Sequence, residues 1–306
     1  MTDGPKDIEC PSLTIKHCST EAHCEALARA RNLPFWWYQD TTRFGRNFSL
    51  PFRDSLGDWW YQVRPGFAWP VDVFDPLTGQ GRQLPWRNTY VAYQHVVPED
   101  EPSNAALVFN TISDVAQYGS GSMDDKRRNA VRKGMRSCDV QTVERLDDGW
   151  LPGVTQAWND LVDRTGWKHH RDASQIRESW SELIELSSAT ILLAIDKESG
   201  QVAGFLITKA FGRTAYVDTI ASNSGLLKSN PNDALMYTFL RNVQKVANVQ
   251  KVHYALKSNV ESLEKFKTSL GFQPLRFPAR LHARPGVMTA LRLLRPTAYR
   301  RVIGDV

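Results

Sequence analysis

Long apolar runs are missing from this chain of 306 residues. No stretch approaches the roughly 18–20 apolar residues that a membrane-spanning helix needs, so no such span is expected. The opening MTDGPKDIECPSLTIKHC lacks the charged-then-apolar profile of a secretory signal, and the expectation is a cytoplasmic protein. Cysteine is scarce: Cys10, Cys18, Cys24 and Cys138 are all there is. His17-Cys18 and His23-Cys24 match no zinc spacing of two close pairs, so the expectation is reduced thiols in a loosely packed N-terminal segment and no metal. No repeat recurs at a 20–50-residue period, which excludes a solenoid.

What is present is the balance of an ordinary globular protein, 42% hydrophobic and 23% charged. The length suits one large domain or two of roughly 150 residues. Net charge is +5, from 38 basic and 33 acidic residues. That balance suits a polyanionic ligand such as a nucleotide cofactor, a tRNA or an acidic lipid face, and falls short of a nucleic-acid-binding composition.

Six of the ten tryptophans fall before residue 90: Trp36, Trp37, Trp59, Trp60, Trp69 and Trp86. They imply either a core of irregular aromatic strands or a groove lined with rings. Residues 59–61, 87–97 and 105–112 read as strands. After Gly119-Ser120-Gly121-Ser122, Asp124-Asp125 can cap a helix running through KRRNAVRKGMR. Its positive run, Lys126, Arg127, Arg128, Arg132, Lys133 and Arg136, is either a solvated face or a phosphate-reading helix.

The second half is more regular. Residues 158–164 and 176–186 read as amphipathic helices, and 190–196, 202–208 and 214–221 as an antiparallel meander. The His169-His170 pair falls in a surface loop. Asn230 as N-cap, Pro231 and Asp233 start a further helix. A strand over 252–256, a short helix, and a final strand near 287–294 complete the unit. On that short helix Leu263, Phe266, Lys267 and Leu270 share one arc while Lys265 points away. Lys267 therefore lies in an apolar stripe, where it either snorkels to the rim or lines a cavity.

The order helix, helix, meander, helix, strand, helix, strand over 150–295 resembles the GNAT acyltransferase fold. LEKFKTSLGF resembles the Phe-Lys-x-x-Phe/Leu-Gly signature of its FemAB-like, peptidyltransferase-related branch. KRRNAVRKGMRSCDVQTV resembles the Arg-rich helix and strand that join the two halves of such proteins. The resemblance implies an α/β (α+β) fold, a mixed sheet flanked by helices with two GNAT-like halves in tandem. Residues 1–120 would be a degenerate half, 121–149 the connector, 150–295 the acyltransferase domain and 296–306 a tail.

The resemblance further implies an N-acyltransferase that moves an acyl or aminoacyl group to a small-molecule or peptide amine. Acyl-CoA or aminoacyl-tRNA would be the donor. Lys267 takes the charge-stabilising role with Phe266 beside it. Asp218 and Ser222 on the fourth strand and Tyr254 on the fifth would line the donor slot, Asp218 either as base or as a solvent-facing carboxylate. Arg127, Arg128 and Arg132 are candidates for a phosphate, and Asn230 for donor binding. Where acetyl-CoA enzymes carry Arg/Gln-x-x-Gly-x-Gly/Ala, this chain reads Leu227-Lys228-Ser229-Asn230-Pro231-Asn232-Asp233. Without bare glycines there is no open backbone cradle for a pyrophosphate, which favours another donor. Two competing readings are a catalytically silent GNAT-like binding or scaffold protein and an RNA-binding module. The oligomeric state is not written in the sequence.

Overall fold

A computed structural model describes residues 8–29, 51–78, 82–166, 169–257 and 260–305. Trp36 and Trp37 lie outside the described residues. In chain order the elements are α1 (Thr20–Arg29), β1 (Phe52–Arg53), β2 (Trp59–Arg64), β3 (Phe67–Pro70), β4 (Ala92–Val96) and β5 (Ala105–Ile112). Then follow α2 (Asp125–Ser137), β6 (Cys138–Thr142), α3 (Leu151–Thr165), α4 (Ala173–Glu185), β7 (Ala189–Asp196), β8 (Val202–Phe211) and β9 (Thr214–Ser222). The chain closes with α5 (Pro231–Val243), β10 (Lys251–Leu256), α6 (Glu261–Ser269), β11 (Gln273–Ala283), α7 (Val287–Leu294) and α8 (Pro296–Ile303). Two compact units interleave along the chain. The first comprises Met1–Ser19, Thr111–Ala255 and Glu261–Gln273; the second comprises Thr20–Asn110, Leu256–Val260 and Pro274–Val306.

In the first unit the strands lie in the order β10-β9-β8-β7-β6. Strands β6 to β9 pair antiparallel, and β10 joins β9 in parallel. Every residue of β8 is buried, as a strand covered on both faces requires. Alternation sorts its side chains. Phe205 meets Trp158 of α3 (centroids 6.5 Å apart) and Trp180 of α4 (5.2 Å), whereas Leu206 joins the core cluster of α5 with Leu235 and Phe239. Helix α5 is buried nearly all round, the pattern of a central helix. Asp124 caps α2 by accepting from the Arg127 amide at 2.7 Å, and Asp172 caps α4 by accepting from the Gln175 amide at 2.9 Å. Asn230 stands at the N-cap of α5 in the left-handed region, but its side chain makes no cap bond and donates to the Ala130 carbonyl instead.

In the second unit the strand order is β1-β2-β3-β4-β11-β5. The final strand is therefore β11, paired antiparallel with β4 from Ala279 to Ala283, and residues 287–294 are helical rather than extended. Pro274 and Pro278 make β11 look like a loop, yet both precede its paired stretch, where a missing N–H costs no β4–β11 bond. The segment 87–97 is a strand only from Ala92, and 296–306 forms α8 for most of its length. Trp60 and Trp69 are core residues and Trp86 is exposed. Trp60 Nε1 donates to Asp54 at 3.0 Å, and Arg82 bridges Asp54 and Asp58. Cys24 is fully buried, against the expectation of a loosely packed cysteine there.

Two buried histidines set the acid limit of stability. Burial pushes His95 down to about 4 from its ordinary 6.5, the Val96 carbonyl opposing and the charges of His282, Arg82 and Arg280 adding to the drop. Burial also pushes His253, in the first unit, well below 6.5. In each case the unfolded chain takes up a proton that the folded chain refuses, so stability falls as pH drops below about 6.5. For His95 the loss amounts to about 3 kcal/mol by pH 4. Urea unfolding from neutral pH down to about 4 checks it: His95→Phe should flatten the acid limb, and an unchanged limb would refute the assignment.

Candidate functional site

Of the residues that the sequence singles out, Lys267, Phe266 and Tyr254 gather at α6 and the end of the β9–β10 pairing, whereas Asp218 lies with Lys209 and Arg171. Register between these strands runs Lys251↔Thr214, Val252↔Ala215 and His253↔Tyr216, and ends there. From Val217 to Ser222 β9 has no register partner in β10. Tyr254 is the next residue of β10 after the last pair. On the other edge of β9, Ile207 pairs with Thr219 and Thr208 with Val217, which leaves Asp218 as a bulged residue. A bulge re-aims its side chain and strengthens the local twist.

Helix α6 delivers Lys267 into this region, and the LEKFKTSLGF signature explains how. The Leu270 and Phe272 amides both donate to the Lys267 carbonyl, at 3.0 and 3.2 Å, closing the helix end. Gly271 adopts φ +96°, and a Cβ there would sit 3.0 Å from the Ser122 carbonyl oxygen. Leu270 and Phe272 are fully buried and anchor that turn, while Lys265 is exposed, as the helical count requires. On the other flank the Arg127 guanidinium lies 4.7 Å from the Phe266 ring centre, donates to Ser269 Oγ at 2.9 Å and pairs with Asp233. The signature is thus a lock on the rotation of α6. Gly271→Ala should cost about 1–3 kcal/mol and let Lys267 swing from its seat; a midpoint within error of the parent would show that the turn tolerates a side chain.

Lys267 is only 1% exposed. Its Nζ donates to Glu264 Oε1 at 3.0 Å and lies 5.1 Å from the centre of the Tyr254 ring. Phe272 packs edge-on to the same tyrosine at 5.7 Å, so Phe272, Tyr254 and Lys267 form a stack of supports. Burial lowers the affinity of Lys267 for its proton, and the nearby Glu264 works against that fall. Burial, reinforced by Glu264, raises the Tyr254 phenol above its ordinary range, so it keeps its O–H at neutral pH.

Asp218 is not the solvent-facing carboxylate that the sequence allows. Its side chain is 9% exposed and forms an ion pair with the buried Lys209 of β8 at 3.6 Å. Asp218 Oδ1 accepts no hydrogen bond among the described residues. Burial lowers the affinity of Lys209 for its proton, against the pull of Asp218. Arg171, 4.3 Å from the Trp158 ring centre, also feels the Asp218 charge. Ser222 accepts from Asn232 at 3.3 Å.

The basic helix divides. Arg127 is tied to α5 and α6. Arg128 donates to the Met123 carbonyl at 2.6 Å and the Ser120 carbonyl at 3.3 Å and also pairs with Asp125, whereas Arg132 reaches Asn129 at 3.1 Å. Lys126, Lys133 and Arg136 form the solvated face. His170 pairs with Asp163 on the surface. Among the described residues no group of His, Cys, Asp and Glu is placed to hold a metal ion. Glu264 and Lys209 both carry a signal in the sequence. The first stands three residues before Lys267 on a helix, and the second interrupts the apolar strand VAGFLITKAF.

No protein-family model matches the sequence, and no curated protein sequence matches it. Solved structures do match the fold. FemX aligns over 95% of this chain and 100% of its own, at 10% identity and TM-score 0.51. A domain from Agrobacterium fabrum, provisionally assigned as the C-terminal domain of a lysylphosphatidylglycerol synthetase, aligns over 94% and 96% at 11% identity and TM-score 0.50. L-PGS from Bacillus licheniformis aligns over 84% and 90%, also at 11% identity and TM-score 0.50. At such identities the likeness is one of fold. The chain has a GNAT-like fold, a mixed sheet flanked by helices. That fold is similar to those of FemX and the Agrobacterium fabrum domain.

Proposed function

We propose that this chain is an N-acyltransferase that moves an acyl or aminoacyl group from a thioester or ester donor to an amine. The observation that carries the reading is the buried Lys267, held against Tyr254 where β9 and β10 part. An extended donor arm can lie against the unpaired edge of β9 from Val217 to Ser222. The amine nitrogen attacks the donor carbonyl carbon and the carbonyl oxygen becomes an oxyanion. Collapse breaks the bond to the donor's sulfur or oxygen. The Lys267 ammonium, held 5.1 Å from the centre of the Tyr254 ring, meets that oxyanion, and positive charge fixed in a dry site is worth far more than in water. Asp218, whose Oδ1 also faces the Lys209 ammonium at 3.6 Å, takes the amine proton.

An aminoacyl donor fits the turn before α5 better than acetyl-CoA does. Residues 224–229 wind into a tight helical turn that ends in left-handed Asn230, without glycine at the α5 N-terminus. Aminoacyl-tRNA is therefore the favoured donor, with a small-molecule or peptide amine as acceptor. The same turn favours a second reading, a silent binding scaffold.

Ligand-induced shifts in thermal midpoint across acetyl-CoA, longer acyl-CoAs and charged tRNA separate these readings. A donor at about 100 times its dissociation constant stabilises the fold by roughly 2.7 kcal/mol. A shift with charged tRNA is the expected result, a shift with one acyl-CoA alone would change the donor, and silence from every donor would leave the scaffold.

A further inference from the structure

The helices α7 and α8 of the second unit carry a surface that acyl transfer does not use. The two helices pack against each other. Counted at 100° per residue on α7, Val287, Met288 and Leu291 share the half-buried arc, and Leu293, Ala290 and Leu294 fill a contiguous exposed one. Leu293 is 75% exposed and Leu294 77%, more than any other large apolar side chain described. On α8, Tyr299, Val302 and Ile303 turn inward while Arg300 and Arg301 face solvent. Neighbouring leucines left in water mark a contact surface.

Charge decides what covers them. Residues 284–304 hold five arginines, Arg284, Arg292, Arg295, Arg300 and Arg301, and no acidic residue. All five are exposed. Among the described residues none of them pairs with a carboxylate. The chain has 38 basic residues, so the other 33 match its 33 acidic ones. With Asp305 counted, residues 284–305 carry five arginines against one acid, a net +4.

We propose that α7 and α8 form a peripheral docking surface for a lipid bilayer that carries anionic headgroups. Leu293 and Leu294 enter the boundary between headgroups and acyl chains, and the arginines meet the lipid phosphates. A second copy of this chain would cover the leucines but bring five more arginines to face the first five. An RNA would satisfy the arginines and leave the leucines in water. An anionic membrane satisfies both, and the proposal does not depend on the acyl-transfer reading.

Co-sedimentation of the full chain with phosphatidylcholine vesicles, with and without phosphatidylglycerol, tests it. Binding to the anionic vesicles alone is expected, weakening as salt rises. Leu293→Ser with Leu294→Ser, and separately Arg300→Gln with Arg301→Gln, should each lower the vesicle partition coefficient about tenfold or more. Both pairs are exposed, so the thermal midpoint should hold. Equal binding to neutral vesicles, absence of binding, or anionic binding that survives both variants would overturn the proposal. So would a dimer in light scattering that the serine variant dissolves, or binding to polyuridylate without binding to vesicles.

Discussion

Lys267→Met is expected to lower the rate of acyl transfer by about 10²–10³-fold, equivalent to roughly 2.7–4 kcal/mol of transition-state stabilisation, while the thermal midpoint holds or rises. The two effects have different origins. Methionine fills much of the space of the lysine stem between Tyr254 and the α6 turn, so packing is largely kept. What disappears is an ammonium whose burial costs free energy in the folded state. Glu264, left behind, keeps a side chain 18% exposed and reaches water. A structural lysine would give the opposite result, a lower midpoint with activity per folded molecule unchanged, and that outcome would remove Lys267 from the chemistry.

The pH dependence separates the same alternatives. The depressed folded-state affinity of Lys267 means that the unfolded chain binds more protons in the window just below pH 10.5. Stability owed to this group therefore rises with pH through that window. The methionine variant should lose that slope. If the ammonium is the form that meets the oxyanion, the rate of the parent should fall as pH climbs through the same window, below the ordinary lysine range. A rate that rises there would make Lys267 a neutral base instead.

Much of the α6 region was legible because local rules and tertiary packing agree there. Helical counting placed Lys267 inward and Lys265 outward, and Asp124 caps α2 as its sequence suggests. The meander β7–β9 follows from apolar runs broken by short turns. Partners distant in sequence were not legible. Asp233 pairs with Arg127 across 106 positions, which turns a residue read as a phosphate candidate into a brace for α5 and α6. The burial of Asp218 depends on a register shift between β8 and β9, and no local pattern of side chains records a bulge. Strand β11 is hidden in the sequence for a related reason. Its prolines argue against a strand until the pairing with β4 shows that they precede the residues in register with that strand. The apolar α7 looked extended because a run of eight residues holds barely two turns, too few for its period to stand out.

Asp218→Ala is expected to be the most destabilising of the single changes at the site, at about 3–5 kcal/mol near neutral pH, because it removes the carboxylate that faces the buried ammonium of Lys209. Lys209 is buried in the middle of the sheet on β8, and the Asp218 carboxylate opposes the cost of that burial. Removing the carboxylate leaves two ways out. The lysine can stay charged without the Asp218 carboxylate, or it can shed its proton and stay buried neutral. The second route sets a ceiling: holding a lysine of ordinary pKa 10.5 neutral costs about 5 kcal/mol at pH 7 and only about 2 kcal/mol at pH 9. The deficit of Asp218→Ala should therefore shrink as pH rises, since the unfolded chain still binds the proton that the folded variant has lost. Adding Lys209→Met to Asp218→Ala should recover most of the stability at every pH, because neither charge of the pair is then buried. Urea unfolding of the parent, both single variants and the double variant measures the coupling directly. A pH-independent deficit, or no recovery in the double variant, would mean that Asp218 stabilises the bulge through its backbone conformation and not through Lys209.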